Sequence, residues 1–345
     1  MNSWFGLKIQ DSNFLYVYRH FDGLIYIIPA KTLYQFNLLE KFGPYISLPA
    51  NYFAAHLPFY PILIRLFAPV FGYLKSMIAV NLLATMALGC LFYFFIKYFK
   101  LSQKPLLLTV IFLFLPRFLV VRSVGAPESL FMFLILLSIL FFEKEKYLLA
   151  GIFGGLATAT KTPGILLLAA YLLVFLEKII REKKFKWQWL NIVFIPLGLL
   201  AVFVFYWKQF GDFLAYFHSG DNIHLVFPFS VFNFQKNWVG TAWLEDIIFY
   251  FFLYLLTIFN LNKTRYRSFF YFTLVFFTAT IFVQHRDIAR YSLPLWPLAC
   301  IAFEKFFTSK KFLTVFLILL PGIYLFAWNF LLYNVMPIAD WLPFL

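Results

Sequence analysis

Five short segments of this chain hold the side chains that could do chemistry. Arg19-His20-Phe21-Asp22-Gly23 sets one carboxylate between a histidine and a glycine. His56-Leu57-Pro58-Phe59-Tyr60-Pro61 is followed by Arg65. Pro116-Arg117 leads to Arg122-Ser123-Val124-Gly125-Ala126-Pro127-Glu128-Ser129-Leu130. Lys161 stands in Ala157-Thr158-Ala159-Thr160-Lys161-Thr162-Pro163-Gly164. His285-Arg286-Asp287-Ile288-Ala289-Arg290-Tyr291 precedes Pro294 and Pro297. A single carboxylate such as Asp22 can take a proton from a hydroxyl as general base. Arg286, Arg290 and Tyr291 could clamp a phosphate, and Arg122 and Lys161 could join them.

Each segment also has a plain structural reading. Asp22 would sit in an interfacial turn hinged at Gly23. The prolines of the second segment fix a rigid, non-helical entry, which suits an aromatic interfacial anchor built on His56 and Tyr60. Arg122 and Glu128 would form a structural ion pair across a tight turn, because charges this near hydrocarbon need a partner or an aqueous cavity. Lys161 would snorkel from a short hairpin to water. Asp287 would pair with an arginine of its own loop. The histidines His20, His56, His218, His224 and His285 include two His-x-Asp pairs, His20/Asp22 and His285/Asp287. These four residues are the one candidate set for a divalent metal, although no metal is required.

The elements that must position these residues are hydrophobic helices. Of 345 residues, 63% are hydrophobic and 13% charged, and the mean hydropathy is +0.82. Soluble domains run about 45–50% apolar and about 25% charged. These values exclude a soluble domain, a disordered chain and a collagen-like fibre, and indicate an all-α polytopic transmembrane bundle. The net charge of +14 does not indicate nucleic acid, since the charges fall in short breaks between apolar runs. Cys90 and Cys300 lie inside apolar runs, so neither a disulfide framework nor a thiolate cluster is available. Apolar runs of helical length cover 73–98, 104–121, 127–142, 147–160, 163–178, 188–207, 246–261, 268–284, 288–306 and 312–333, about ten spans. A shorter run, 57–71, carries three prolines and Arg65 and reads as an interfacial or re-entrant helix. Gly151, Gly154 and Gly155 predict close helix packing.

Basic residues orient the bundle. One set of alternating loops holds 16 of the 29 Lys and Arg against five acidic residues. The other side holds 13 basic and 10 acidic residues on longer segments. The first set is therefore cytoplasmic. The chain is expected to form a single integral membrane domain over 1–345. Residues 1–72 and the loop 208–245 lie outside, and 73–207 and 246–333 carry the spans. The loop 208–245 joins Asp212, Asp221, Lys236, Glu245 and Asp246 with Tyr216, Trp238 and Trp243, a mixture that suits sugar contacts and interfacial loops alike. An outer tail of some 70 residues needs something to carry it across, so one N-terminal span is expected to be missing from this sequence.

In series, His20-Phe21-Asp22-Gly23-Leu24-Ile25-Tyr26, Pro58-Phe59-Tyr60-Pro61, Pro127-Glu128-Ser129-Leu130-Phe131 and Thr160-Lys161-Thr162-Pro163-Gly164 resemble the PIG-V-like mannosyltransferases of the GT-C superfamily. Arg290-Tyr291 with Pro294 and Pro297 resembles a segment of several GT-C families. The resemblance spans roughly residues 19–300. Two departures stand out: Phe21 replaces the usual Trp, and Lys161 replaces the usual Arg, keeping charge but losing the bidentate fork.

The resemblance implies a GT-C-like fold and transfer of a mannose-like hexose from a polyprenyl-phosphate sugar to a lipid or glycan hydroxyl, on the extracytoplasmic face of the cell membrane. Asp22 would be the general base. Arg290, Arg286, Lys161 and Arg122 would bind the donor phosphate, with His20, His56, Tyr60, Glu128, His285 and Tyr291 around the substrate. One base with a good leaving group points to single displacement and inversion. Retention would need a second carboxylate as nucleophile, and Glu128 is expected to be paired with Arg122 instead. Two other classes compete: a flippase or transporter for lipid-linked sugars, and a non-catalytic subunit of a glycan-assembly complex. A transporter should hold its polar residues at the bilayer midplane, whereas here they cluster at the outer mouth.

Overall fold

A computed structural model describes residues 3–4, 7–8, 15–20, 23–42, 45, 48–233, 244–335, 341 and 344–345. It is a helical bundle. Two two-residue strands, β1 (Ser3–Trp4) and β2 (Leu7–Lys8), pair antiparallel at the start and are a small departure from an all-α chain. The first helices are short: α1 (Leu15–Tyr18), α2 (Gly23–Thr32) and α3 (Phe36–Glu40). A 3-10 turn at Ala50–Ala55 then leads into α4 (Phe59–Phe71), the predicted 57–71 element, which runs to its end despite Pro69.

The ten apolar runs are helical, but two are broken. The intact ones include α5 (Tyr73–Tyr98), which at about 1.5 Å per residue is long enough for a hydrocarbon core of about 30 Å. The 104–121 run divides into α6 (Pro105–Leu113) and α7 (Pro116–Val121). Pro116 has no N–H to continue the ladder and sits instead at a first helical position. Next come α8 (Glu128–Glu143), α9 (Tyr147–Thr160), α10 (Leu166–Glu182) and α11 (Phe194–Phe210). After α12 (Ala215–His218) lie α13 (Glu245–Leu261) and α14 (Arg267–Ile281). The 288–306 run is also divided, into α15 (Ile288–Tyr291), a turn through Pro294, α16 (Trp296–Ala302) and α17 (Glu304–Phe307). The last helix is α18 (Lys310–Tyr333). Four stretches are long and apolar enough to cross a membrane: Tyr73–Tyr98, Thr162–Glu182, Trp187–Phe210 and Lys310–Leu332. The chain is a multi-pass membrane protein.

Packing is tightest where α9 lies between α8 and α11. A Cβ on Gly198 would come within 2.3 Å of the Gly155 carbonyl oxygen, and one on Gly151 within 2.2 Å of that of Asn191. Only glycines let the two backbones approach this closely. Helix α2 is buried at every residue but Lys31 and packs against α4 and α5. Its C-terminal carbonyls at Ala30 and Lys31 accept hydrogen bonds of 3.0 and 2.8 Å from Arg65. Helix α18 rests on α7 near its end and has almost no fully buried residues, which suits a lipid-facing position.

Candidate functional site

Glu128 opens α8, and α5 holds the turn before it. Asn81 donates from Nδ2 to the carbonyls of Val121 (2.8 Å) and Val124 (2.5 Å). One helical turn on, Thr85 Oγ1 lies 2.7 Å from Ser129 Oγ. Met77, one turn earlier, fills the space beside Gly125, where a Cβ would meet its sulfur at 2.2 Å. The same sulfur would stand 3.1 Å from a Cβ on Gly23, the residue after Asp22. One side chain thus seats both the start of α2 and the turn that carries Glu128.

The Glu128 side chain is only 3% exposed, a costly place for a charge without partners. It has two. Lys161 Nζ lies 2.8 Å and Arg290 Nε 2.7 Å from the same oxygen, Oε1. Oε2 has no hydrogen-bond partner among the described residues. Lys161 ends α9 in extended conformation, and the chain folds straight back as a 3-10 turn at Thr162–Ile165. That reversal needs Gly164, where a Cβ would lie 2.5 Å from the backbone nitrogen of Thr158. Arg290 belongs to α15, which is fixed from its other end by Asp287. Asp287 pairs with Arg117 of α7, whose side chain is 7% exposed and whose guanidinium stacks 4.1 Å from the centre of the Phe330 ring. The segments 116–128 and 285–291 are therefore cross-linked twice, with opposite polarity.

These ion pairs correct two expectations. Glu128 pairs with Lys161 and Arg290, not with Arg122, because the turn between Arg122 and Glu128 is hydrogen-bonded to Asn81. Arg122 instead lies over the Phe114 ring at 5.2 Å, beside Tyr324. Burial lowers the pKa of its guanidinium, and Tyr324 partly opposes this. Asp287 does not pair within its own loop. The short α15 turns it toward Arg117 and turns Arg290 toward Glu128.

Glu128, Lys161, Arg290 and Tyr291 line a small recess with Phe131, Met132, Pro163, Leu293 and Pro294, an empty space of about 260 Å³ including its open mouth. The Lys161 ammonium stands 5.6 Å from the centre of the Tyr291 ring. Among the described residues, this cluster sets one carboxylate against two cations. It can hold an anion, and its apolar wall suits an amphipathic one.

The other predicted residues lie outside that recess. Asp22 itself lies outside the described residues, as do Lys236, Trp238 and Trp243. His20 packs against Phe330 with 5.8 Å between ring centres, and His285 meets Tyr291 edge-on at 4.8 Å while its Nδ1 accepts the Asp287 N–H. His56 and Tyr60 are buried edge-on against Tyr26, and the Tyr60 hydroxyl donates to the Met77 carbonyl at 2.9 Å. Arg286 is exposed and does not enter the recess. Among the described residues, no three His, Cys, Asp or Glu side chains gather as a metal site.

No family model matches the chain, and no curated protein matches it in sequence. Among solved structures, the fold is similar to ArnT from Cupriavidus metallidurans bound to undecaprenyl phosphate. The TM-score is 0.61 at 14% identity, over 90% of this chain and 61% of that one. ArnT from the same organism in the apo state gives 0.51 at 16% identity, over 88% and 59%. The protein has a GT-C fold. It spans about three fifths of the length of those ArnT chains. The finer resemblance, to PIG-V-like mannosyltransferases, rests on the sequence motifs alone.

Within this GT-C fold, sequence reasoning missed Asn81 and Thr85. Their signal was available: two polar residues four apart in an apolar helix share one face. It also left Arg117 without a role. Near Lys161, Thr162 Oγ1 lies 2.9 Å from the Tyr216 hydroxyl, which ties the segment around α12 to the site. Burial raises the pKa of Tyr216. That segment continues along 281–284, where Val226 and Phe229 donate to the carbonyls of Phe282 and Ile281 at 3.0 and 2.9 Å.

Proposed function

We propose that this chain is a glycosyltransferase that moves a hexose, mannose-like by its motifs, from a polyprenyl-phosphate sugar to an acceptor hydroxyl on the extracytoplasmic side. The observation that carries the reading is the cluster of Lys161 and Arg290 on Glu128 beside Tyr291, inside a GT-C fold. The ArnT structure bound to undecaprenyl phosphate supports a lipid-phosphate ligand by analogy of fold. The donor phosphate would lie against Lys161 and Arg290, with its lipid chain running out between spans. The acceptor hydroxyl would attack the anomeric carbon as the bond from that carbon to the phosphate oxygen breaks. Its proton would pass to a carboxylate, for which Asp22 is the choice, being the acid of the first-loop motif. The leaving phosphate needs no acid, only cations facing its growing charge. Single displacement gives inversion. The reaction so written needs no metal or cofactor.

The test is transfer in vitro from a panel of polyprenyl-phosphate hexoses, comparing wild type with Asp22→Asn and Arg290→Ala. Asp22→Asn should lower turnover by about 10²–10⁴-fold in a folded protein. Loss of a charged hydrogen bond in Arg290→Ala should raise the donor KM by about 10- to 150-fold. Wild-type protein inert toward every donor of the panel would remove the reading.

A further inference from the structure

Glu128 occupies a place that its neighbours make hard to explain. A site meant only to attract phosphate would leave Lys161 and Arg290 facing the ligand. Here a carboxylate buried to 97% of its side chain sits between them, with both cations on one oxygen at 2.8 and 2.7 Å. Its other oxygen has no hydrogen-bond partner among the described residues. Glu128 also lines the recess with Lys161 and Arg290, so an anion held by those cations stands close to a fixed negative charge.

The reaction proposed above changes the charge of the ligand. The donor is a phosphodiester with one negative charge. Transfer breaks the bond between the sugar carbon and the phosphate oxygen, and the lipid phosphate keeps the electron pair. The product is then a monoester carrying about −1.5 to −2 at neutral pH. Two cations hold this product more tightly than the donor, and an enzyme that binds its product most tightly turns over slowly. A carboxylate beside the phosphate opposes the product more than the donor, because repulsion scales with ligand charge.

We infer that Glu128 is the residue that sets the charge of the phosphate recess so that the lipid-phosphate product is released. The inference rests on the function proposed above. A phosphate gripped by both cations would lie about 6 Å from the carboxylate. At an effective dielectric near 20 each ligand charge then loses about 100-fold in affinity, and about tenfold after allowance for the open mouth. Removing the Glu128 charge should therefore tighten a diester about tenfold and a monoester about 100-fold.

The experiment uses the full chain in detergent or nanodiscs and two probes that need no knowledge of the sugar. One is a short polyprenyl phosphate, and the other is its methyl ester, a monoanionic diester of the same lipid. Affinities are compared for wild type, Glu128→Gln, Lys161→Met and the double variant. Glu128→Gln should favour the monoester about tenfold more than wild type does. It should also lower steady-state turnover by a larger factor than the single-turnover rate, since release has become slow. The double variant should bind the monoester more tightly than Lys161→Met alone, which keeps the inference testable if Glu128→Gln does not fold. Equal or weaker monoester binding on loss of the carboxylate, in either background, overturns the inference. So does failure of both Glu128 variants to fold, which would make the carboxylate a scaffold. A collapse of the single-turnover rate would make Glu128 a catalytic residue instead. If wild type binds neither probe, the proposed function fails, and that result is distinct from the others.

Discussion

Replacing Gly164 with alanine probes how the backbone places Lys161. The turn at Thr162–Ile165 folds back on the end of α9 so closely that a Cβ at 164 would lie 2.5 Å from Thr158 N and 2.7 Å from Ala157 C. Both are backbone atoms and cannot rotate away. Ordinary contact begins at 3.4 Å, so the two strands of chain must part by about 0.9 Å. Lys161 lies in the link that would open, and its ammonium is 2.8 Å from Glu128 Oε1. A shift of that size exceeds the tolerance of about 0.5 Å expected of a working site. Misplacement of about 1 Å can cost on the order of 10²-fold in rate. Gly164→Ala should therefore lower transfer by about 100-fold, with an overpacking penalty of about 1–3 kcal/mol in stability. The assay is transfer from the donor that wild type prefers, with melting temperature in detergent measured in parallel. Gly322→Ala is the control: nothing lies within 4 Å of a Cβ there, and alanine in mid-helix should be neutral or stabilising by about 0.5–1 kcal/mol. Activity within twofold of wild type in Gly164→Ala, at unchanged melting temperature, would refute the claim that this glycine sets the position of Lys161.

Gly198→Leu should prevent close packing of α9 on α11 and leave aggregated protein on size exclusion, because the added Cβ alone meets Gly155 O at 2.3 Å; a monodisperse, stable variant would count against this. Arg117→Met breaks a buried ion pair and should cost about 3–5 kcal/mol, with part of the loss regained in Arg117→Met/Asp287→Asn. A double variant less stable than the single one would show that the pair is not the source. Asn81→Leu should free the turn before Glu128 and lower both donor affinity and melting temperature, whereas an unaffected KM would separate Asn81 from the site. His218 beside Asp212 holds that carboxyl below its ordinary value through a 2.6 Å hydrogen bond. A depressed carboxyl stabilises above its unfolded-state value, about 3.9, and the effect is lost as pH falls through the folded-state value. The melting difference between wild type and Asp212→Asn should thus be small at pH 6, since the pair is exposed, and should shrink as acid takes the pH below the unfolded-state value; a difference that grows on acidification would contradict this.

Hydrophobic periodicity made the helices legible, because an apolar run of about 20 residues has few other ways to satisfy its backbone in a membrane. It could not show that 104–121 and 288–306 break, although Pro116 and Pro294 marked the places. Those breaks turn out to matter for the site. Arg117 is near the start of one helical piece, and Asp287 and Arg290 frame the short α15. An unbroken helix over 288–306 would have run on directly from Asp287 and Arg290, whereas α15 ends at Tyr291. Local reasoning therefore chose the nearest partner in sequence for each charge, Arg122 for Glu128 and a neighbouring arginine for Asp287. The structure chose partners more than 160 residues away for two of the three ion pairs. Sequence spacing alone could not reveal that exchange, since it depends on how α7 and α15 face each other. The motif series set Lys161 and Arg290 with Arg286 and Arg122 and paired Glu128 with Arg122, whereas the geometry puts Lys161 and Arg290 on a single Glu128 oxygen. That set of charges is costly to bury and contributes little to stability that apolar residues of the same size could not supply. Under the function proposed above, that expense is offset by a ligand, the donor phosphate, held by the two cations beside Tyr291.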